Sequence, residues 1–301
     1  RALFILVSVG RPLDRERMAN VTFMVNGAPG RMAQAIASTV VARYGAGHLL
    51  RYSLTGPDAE ADATCAVGGD GECHDLALVR PDDAEGAWSD IEGEIARLGR
   101  PCVAIDFTHP AAAMANAALY SRKTLPFVMG TTGGDPEALG ASVLGASDDM
   151  YALIAPNMAR PIVLLQAMVK WAAREHPNSL SGFELSSVES HQSGKADVSG
   201  TALALIGELD QLGLDDRGIT SLREEEGQRE FGVPDDALGA HAFHTYRISS
   251  PDDTLEVQLR HNVCGSQPYA DGAIDAALFV EAQRVARHPK RLWSMIEMLA
   301  N

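Results

Sequence analysis

Residues 21–40 constrain the fold most. Val21-Thr-Phe-Met-Val25 alternates and is β-rich, which predicts a strand. Gly27-Ala28-Pro29-Gly30-Arg31-Met32-Ala33 comes at once after it, and Met32, Ala35, Ile36, Thr39 and Val40 then share one helical face. Strand, glycine turn and helix is the setting that a dinucleotide pyrophosphate requires. Gly27 lets the chain turn, Gly30 lets a phosphate approach the helix start, and Ala33 lets the helix pack closely. Alone the motif is weak; its place near the start of a strand–helix series strengthens it.

Strand and helix signals keep alternating. Strands are predicted at Leu49–Leu54, Leu76–Val79, Val103–Phe107, Phe127–Met129 and Tyr151–Ile154. Helices are predicted over 82–99, with Trp88, Ile91, Ile95 and Leu98 as the apolar stripe, and over Ala111–Tyr120. Residues 56–71, rich in Ala, Asp and Gly, read as an irregular surface excursion. The repeated pattern predicts a parallel sheet wrapped by helices, with ligands at the carboxyl ends of its strands. Three of those ends carry small polar residues: Phe107-Thr108, Gly130-Thr131-Thr132 and Ala155-Pro156-Asn157-Met158. At the end of the second strand, Ser53 and Thr55 stand where a carboxylate would reject a 2′-phosphate. With Arg31 and Arg51 nearby, this leans toward NADPH.

From Pro161 the character changes to α+β. A helix (162–175) leads to the strand Phe183–Val188. Ile219–Leu222 is another short strand, and a hairpin is formed by His244–Ile248 and Leu255–His261 around a Pro-Asp turn. Glu224–Glu226 reads as a solvated charge run. Ala270, Ile274, Ala277, Leu278 and Val285 mark a later helix face, and Leu292–Leu299 a final helix.

The loop Glu189-Ser-His191-Gln192-Ser-Gly-Lys195-Ala-Asp-Val-Ser-Gly200-Thr201 concentrates the chemistry. His191 offers a proton donor and Lys195 a cation. Gly200 and Thr201 open a helix, where backbone donors suit an anion. A small acidic molecule to be held and protonated fits this set; a capped polar surface loop is the plainer alternative. His241, His244 and His261 sit on strands and read as structural.

The 301 residues carry a net charge of −15, which argues against a nucleic-acid partner. No run of about 18 apolar residues predicts a membrane span. Four cysteines lack metal-type spacing, so neither a disulfide nor a metal site is expected, and Cys102 reads as a buried thiol. Residues 1–17 read as an extension or targeting remnant outside the fold.

In order, Gly27–Met32, Ile105-Asp-Phe-Thr108, Gly130-Thr-Thr-Gly133, Ala155-Pro-Asn157 and Glu189–Ala202 resemble the dihydrodipicolinate reductase family. His241-Ala-Phe-His244 and His261-Asn-Val-Cys-Gly265 resemble its plant-type branch. The resemblance implies an α/β fold: a Rossmann-like parallel-sheet cofactor domain (18–157 and 266–301) with an inserted α+β substrate and oligomerisation domain (158–265). It implies NAD(P)H-dependent reduction of 4-hydroxy-tetrahydrodipicolinate in lysine biosynthesis, with NADPH preferred and NADH accepted. His191 and Lys195 match the family's catalytic pair. Gln192, Gly200 and Thr201 fall on the substrate side. Gly27, Ala28, Pro29, Gly30, Arg31, Met32, Ser53, Thr55, Phe107, Thr108, Gly130, Thr131, Thr132, Ala155, Pro156, Asn157 and Met158 fall on the cofactor side, the last four at the hinge. A homo-oligomer, dimer or tetramer, in the cytoplasm or plastid stroma is further implied. Gln192 replaces the second histidine of the bacterial branch, and Ser266 stands where relatives often carry arginine. Another nicotinamide-dependent dehydrogenase and a non-catalytic nicotinamide-sensing module are the rival readings.

Overall fold

The computed structural model describes residues 20–60, 63–69, 72–131, 135–195 and 197–301. The extension 1–17 and Thr132 lie outside them. The chain forms two compact units, one from residues up to Met158 together with Tyr269–Asn301, the other from Ala159–Pro268.

The first unit is built on a parallel sheet in the order β1-β5-β6-β7-β12. Its strands are β1 (Thr22–Asn26), β5 (Cys102–Asp106), β6 (Phe127–Met129), β7 (Ala152–Ile154) and β12 (Leu292–Trp293). The first four are short apolar runs, almost wholly buried, as a sheet covered on both faces demands. A smaller sheet, β2 (Tyr52–Leu54), β4 (Glu72–Val79) and β3 (Thr64–Gly69), joins it through a bridge between Phe23 and Leu49. The chain thus runs outward from β1 to both sides, which opens a crevice above its carboxyl end. The helices are α1 (Arg31–Tyr44), α2 (Ala84–Leu98), α3 (Ala113–Arg122) and α4 (Pro136–Leu144). Trp88 and Ile91 of α2 pack with Met24, Phe127 and Tyr120 in one core.

In the second unit, β8 (Glu184–His191), β9 (Asp215–Leu222), β10 (His241–Ser249) and β11 (Glu256–Cys264) form a mixed sheet in the order β11-β10-β8-β9. Only the β8–β9 pair is parallel. Helices α5 (Arg160–Glu175) and α6 (Gly200–Asp210) supply Val169, Ala173, Leu205 and Leu209, which bury Leu185, Tyr246 and Ile248 of the sheet. A short α7 (Glu225–Glu230) begins at the acidic run. Then α8 (Gln267–Val285) leads back to the first unit, and α9 (Met295–Leu299) ends the chain's regular structure.

Several elements differ from the expectation. Residues 64–69 are strand β3, not an irregular excursion. Their glycines hide the pattern, but pairing with β4 satisfies their backbone. The second strand is only Tyr52–Leu54. The final helix begins at Met295, because Leu292 and Trp293 pair with β7 and Ser294 caps the helix with Glu297 in a capping box. Val285 ends α8 and is 65% exposed rather than on its buried face. All four cysteines are free, and burial pushes the Cys102 thiol up to about 12.

Candidate active site

In the first unit, the expected cofactor residues gather at the carboxyl ends of β1, β5 and β6. Gly27 turns with φ 110°, and a Cβ there would meet the Phe107 carbonyl oxygen at 2.4 Å. Its N–H donates to the Leu54 carbonyl (2.8 Å), and Gly30 N–H closes the turn on Gly27 O (2.8 Å). No side chain caps α1 at Gly30, so the turn and helix start fit a phosphate. The Phe107 ring lies against Gly130, where an added Cβ would sit 2.3 Å from the ring. Ala155, Pro156, Asn157 and Met158 come directly after β7, all but Pro156 buried.

Ser53 and Thr55 do not present hydroxyls to a ligand, which corrects their expected part. Ser53 is wholly buried and its hydroxyl accepts from Ala28 N–H (3.2 Å). Thr55 donates to the Ala28 carbonyl (2.6 Å). Both hold the glycine turn in place. Arg51 turns toward Glu94 (3.7 Å) at the surface.

Asp106, which lies within the Ile105–Thr108 motif but has no expected part of its own, ties this end together. Its buried carboxylate accepts from the Thr108 N–H and hydroxyl, the Asn116 amide, the Tyr120 hydroxyl (2.7 Å) and the Thr131 hydroxyl (2.8 Å). Asn26 in turn donates to the Tyr120 oxygen and accepts from Leu54 N–H. One network therefore fixes the ends of β1, β2, β5 and β6.

In the second unit, His191 ends β8 and Glu189 pairs with His244 across the β8–β10 register. The Nε2 atoms of His191 and His244 stand 3.2 Å apart. Glu189 is fully buried. Its Oε1 accepts from Ser221 (2.9 Å) and pairs with Arg223; its Oε2 accepts from Ser199 N–H (2.9 Å). Arg223 also donates to the Lys195 carbonyl (2.8 Å). A single ion pair thus ties the 192–199 loop to the sheet at two points, Lys195 and Ser199. Gln228 donates to the His191 carbonyl (2.8 Å). Lys195 and Gln192 are half-buried on that loop, Gly200 is exposed where α6 begins, and Thr201 is buried behind it. Glu189, Ser221, Arg223 and His244 escape a reading of the sequence because strand pairing, not spacing, brings them to His191. The nearest sequence signal is Glu189 itself, two residues before His191 on the same strand face.

The electrostatics reflect this packing. Burial alone would raise Glu189, but His244, Arg223, the Ser199 N–H and Ser221 outweigh it and hold the carboxyl well below its usual range. Burial, then His244, lowers His191 to about 3 despite Glu189; Lys195 and Arg223 lower it further. Burial and His244 lower His261 to about 4. Both imidazoles are neutral at pH 7.

This sets a pH window for stability. Each histidine titrates near 6.5 when unfolded and lower when folded, so the unfolded chain binds more protons below about pH 6.5. The stabilisation is complete above that value and is lost as pH falls toward about 4. At pH 5 the loss is at most about 2 kcal/mol per histidine. Thermal melts at about pH 7, 6 and 5 are expected to show a falling Tm, with a smaller fall in His261→Phe. A Tm that does not change across that range contradicts this.

The dihydrodipicolinate reductase N-terminus model matches residues 21–158, and the C-terminus model of the same family matches 161–299. The chain belongs to the dihydrodipicolinate reductase family. It is 38% identical over 279 residues to "Probable 4-hydroxy-tetrahydrodipicolinate reductase 2, chloroplastic" of Oryza sativa subsp. japonica, covering 92% of this chain and 82% of that one. It is 33% identical over 309 residues to 4-hydroxy-tetrahydrodipicolinate reductase 2, chloroplastic, of Arabidopsis thaliana, covering 99% and 85%. A solved dipicolinate-bound dihydrodipicolinate reductase from Paenisporosarcina sp. TG-14 shares the fold with a TM-score of 0.57, at 17% identity over 93% of this chain and 99% of that one. The family is one of nicotinamide-dependent oxidoreductases. The Rossmann-like sheet and the separate mixed-sheet unit are those expected from the sequence.

Proposed function

We propose that this protein reduces 4-hydroxy-tetrahydrodipicolinate to tetrahydrodipicolinate in diaminopimelate and lysine biosynthesis, using NAD(P)H. The observation that carries the reading is the placement of His191 at the end of β8 and of Lys195 on the pinned loop that leads from it to the start of α6, in a chain matched by the family over both units. The group reduced is the cyclic conjugated imine that forms when 4-hydroxy-tetrahydrodipicolinate loses its 4-hydroxyl as water. Hydride adds at the ring carbon para to nitrogen and leaves an enamine. The ring carries two carboxylates. Lys195 balances that charge, and the first N–H groups of α6 at Gly200 and Thr201 take a carboxylate. Gln192 stands beside them as a neutral donor.

His191, neutral before substrate arrives, gains proton affinity from the bound dianion and then relays a proton with Lys195 to the ring enamine. Gly27–Met32 hold the pyrophosphate, and Phe107, Thr108, Gly130 and Thr131 flank the nicotinamide, which supplies the hydride when bound. A coupled assay tests the reading: dihydrodipicolinate synthase generates the substrate while NADPH and NADH absorbance is followed. Substrate-independent oxidation, or turnover only with other keto or imino acids, would point to another dehydrogenase.

For the cofactor, we expect NADPH to be favoured by a few-fold to tenfold. No carboxylate stands directly at the end of β2, where the first acid is Asp58, and Arg31 is exposed at the start of α1. Because that charge is solvated, the preference should shrink as salt rises. Arg31→Ala should reduce it too, whereas Ser53→Asp would bury a carboxylate and report stability instead. Michaelis constants for both cofactors at low and high salt check this, and a wild type favouring NADH at low salt would refute it.

A homo-oligomer, dimer or tetramer, built through the sheet of the second unit is part of the proposal. The compartment is the plastid stroma or the cytoplasm. No helix among the described residues is long and apolar enough to cross a membrane.

A further inference from the structure

Glu189 Oε2, His191 Nε2 and His244 Nε2 form a triangle with edges of 3.2, 3.7 and 3.9 Å. All three residues are buried, and their ligand-type atoms converge. The point equidistant from the three lies about 2.1 Å from each, which is the bond length of zinc to imidazole nitrogen and carboxylate oxygen. Two imidazole Nε2 atoms facing each other need a proton or a cation between them.

We propose that Glu189, His191 and His244 bind one divalent ion of the zinc class, and that the bound ion inhibits the reductase by occupying His191. The inhibition rests on the catalytic reading of His191; the binding does not. The existing contacts of the carboxylate leave room for such an ion. Arg223 engages Oε1, and among the described residues Oε2 receives the Ser199 N–H, with the two imidazoles 3.7 and 3.9 Å away. Arg223 also fixes the carboxylate plane, as outer partners of metal ligands do. His191 keeps about a tenth of its side-chain surface open, so solvent and a hydrated ion reach the edge of the site. The positive charges of Arg223 and Lys195 oppose the ion. They make the affinity weaker than that of a structural zinc site.

The test uses the chelator-treated full chain with Zn2+ and Co2+ as probes. Titration calorimetry should give one Zn2+ per chain lost in His244→Gln, with at least about a hundredfold weaker binding. Co2+ should give visible absorption bands of a low-coordinate nitrogen and oxygen site, again absent in His244→Gln. Glu189→Gln should weaken binding likewise; His244→Gln, checked by circular dichroism, stands if that variant does not fold. In the coupled assay, Zn2+ should inhibit the wild type and a chelator should restore it. Lys195→Ala should keep the Zn2+ site and bind at least as tightly as the wild type, since it loses an opposing charge, so its turnover tests the catalytic reading separately. No saturable Zn2+ site, a site indifferent to His244→Gln, or full turnover with Zn2+ bound overturns the proposal.

Discussion

Lys195→Ala is expected to lower turnover by at least about a hundredfold while leaving cofactor affinity nearly unchanged. Removing a charged donor aimed at developing charge costs about 3 kcal/mol or more, and each step of about 1.4 kcal/mol is tenfold. The loop should survive the change, because Arg223 holds the backbone carbonyl of residue 195 rather than its side chain. His191→Gln should lose less than Lys195→Ala. His191 is neutral in the free protein, so it enters as a relay that the substrate must charge, whereas Lys195 arrives with its charge. Steady-state kinetics of both variants against wild type decide this. Near-normal turnover in Lys195→Ala would sink the assignment; a larger loss in His191→Gln would reverse the roles.

Asp106→Ala is expected to destabilise the first unit by roughly 3–5 kcal/mol. Five donors lose the carboxylate, and two of them, the Tyr120 and Thr131 hydroxyls, are buried. Thr131 keeps only longer contacts to the carbonyls of Asp106 and Thr108, and Asn116 keeps the Thr108 hydroxyl. A buried donor left unpaired costs about 1–3 kcal/mol. Tyr120→Phe should cost less, about 1–3 kcal/mol, since it leaves one buried donor, the Asn26 amide, unpaired rather than several. The effect should reach function, because Thr108 and Thr131 flank the expected nicotinamide position. The Michaelis constant for the cofactor should rise while that for the substrate holds. Urea unfolding with both variants measures the difference, and a loss under about 1 kcal/mol for Asp106→Ala would mean that water replaces the carboxylate.

How far the sequence was legible depends on the range of the interaction. The glycine turn, the strand ends and the loop from His191 to Thr201 are local, and all are visible as runs of residues. The three-residue strand Phe127–Met129 was equally plain, since a strand buried on both faces is simply apolar. Strand β3 was not, because its stability comes from pairing with β4 rather than from its own Thr-Cys-Ala-Val-Gly-Gly. Ser53 and Thr55 were found as residues but misjudged in direction: a strand end shows which groups are there, not which way they face. His244 was seen and set aside for the same reason. Its meeting with His191 depends on the β8–β10 register, which joins residues far apart in the chain.

The position of β12 has a consequence for biosynthesis. This strand pairs with β7, yet the whole second unit is encoded between them. On the ribosome, β1, β5, β6 and β7 emerge first and must wait, with one edge of β7 unpaired, while the intervening residues are made. The mixed sheet of the second unit has no such delay, since all its strands are contiguous in sequence, and it can close as soon as β11 emerges. An open parallel edge is a template for the wrong strand. Nascent chains that stall between β7 and β12 are therefore the form of this protein most in need of a chaperone.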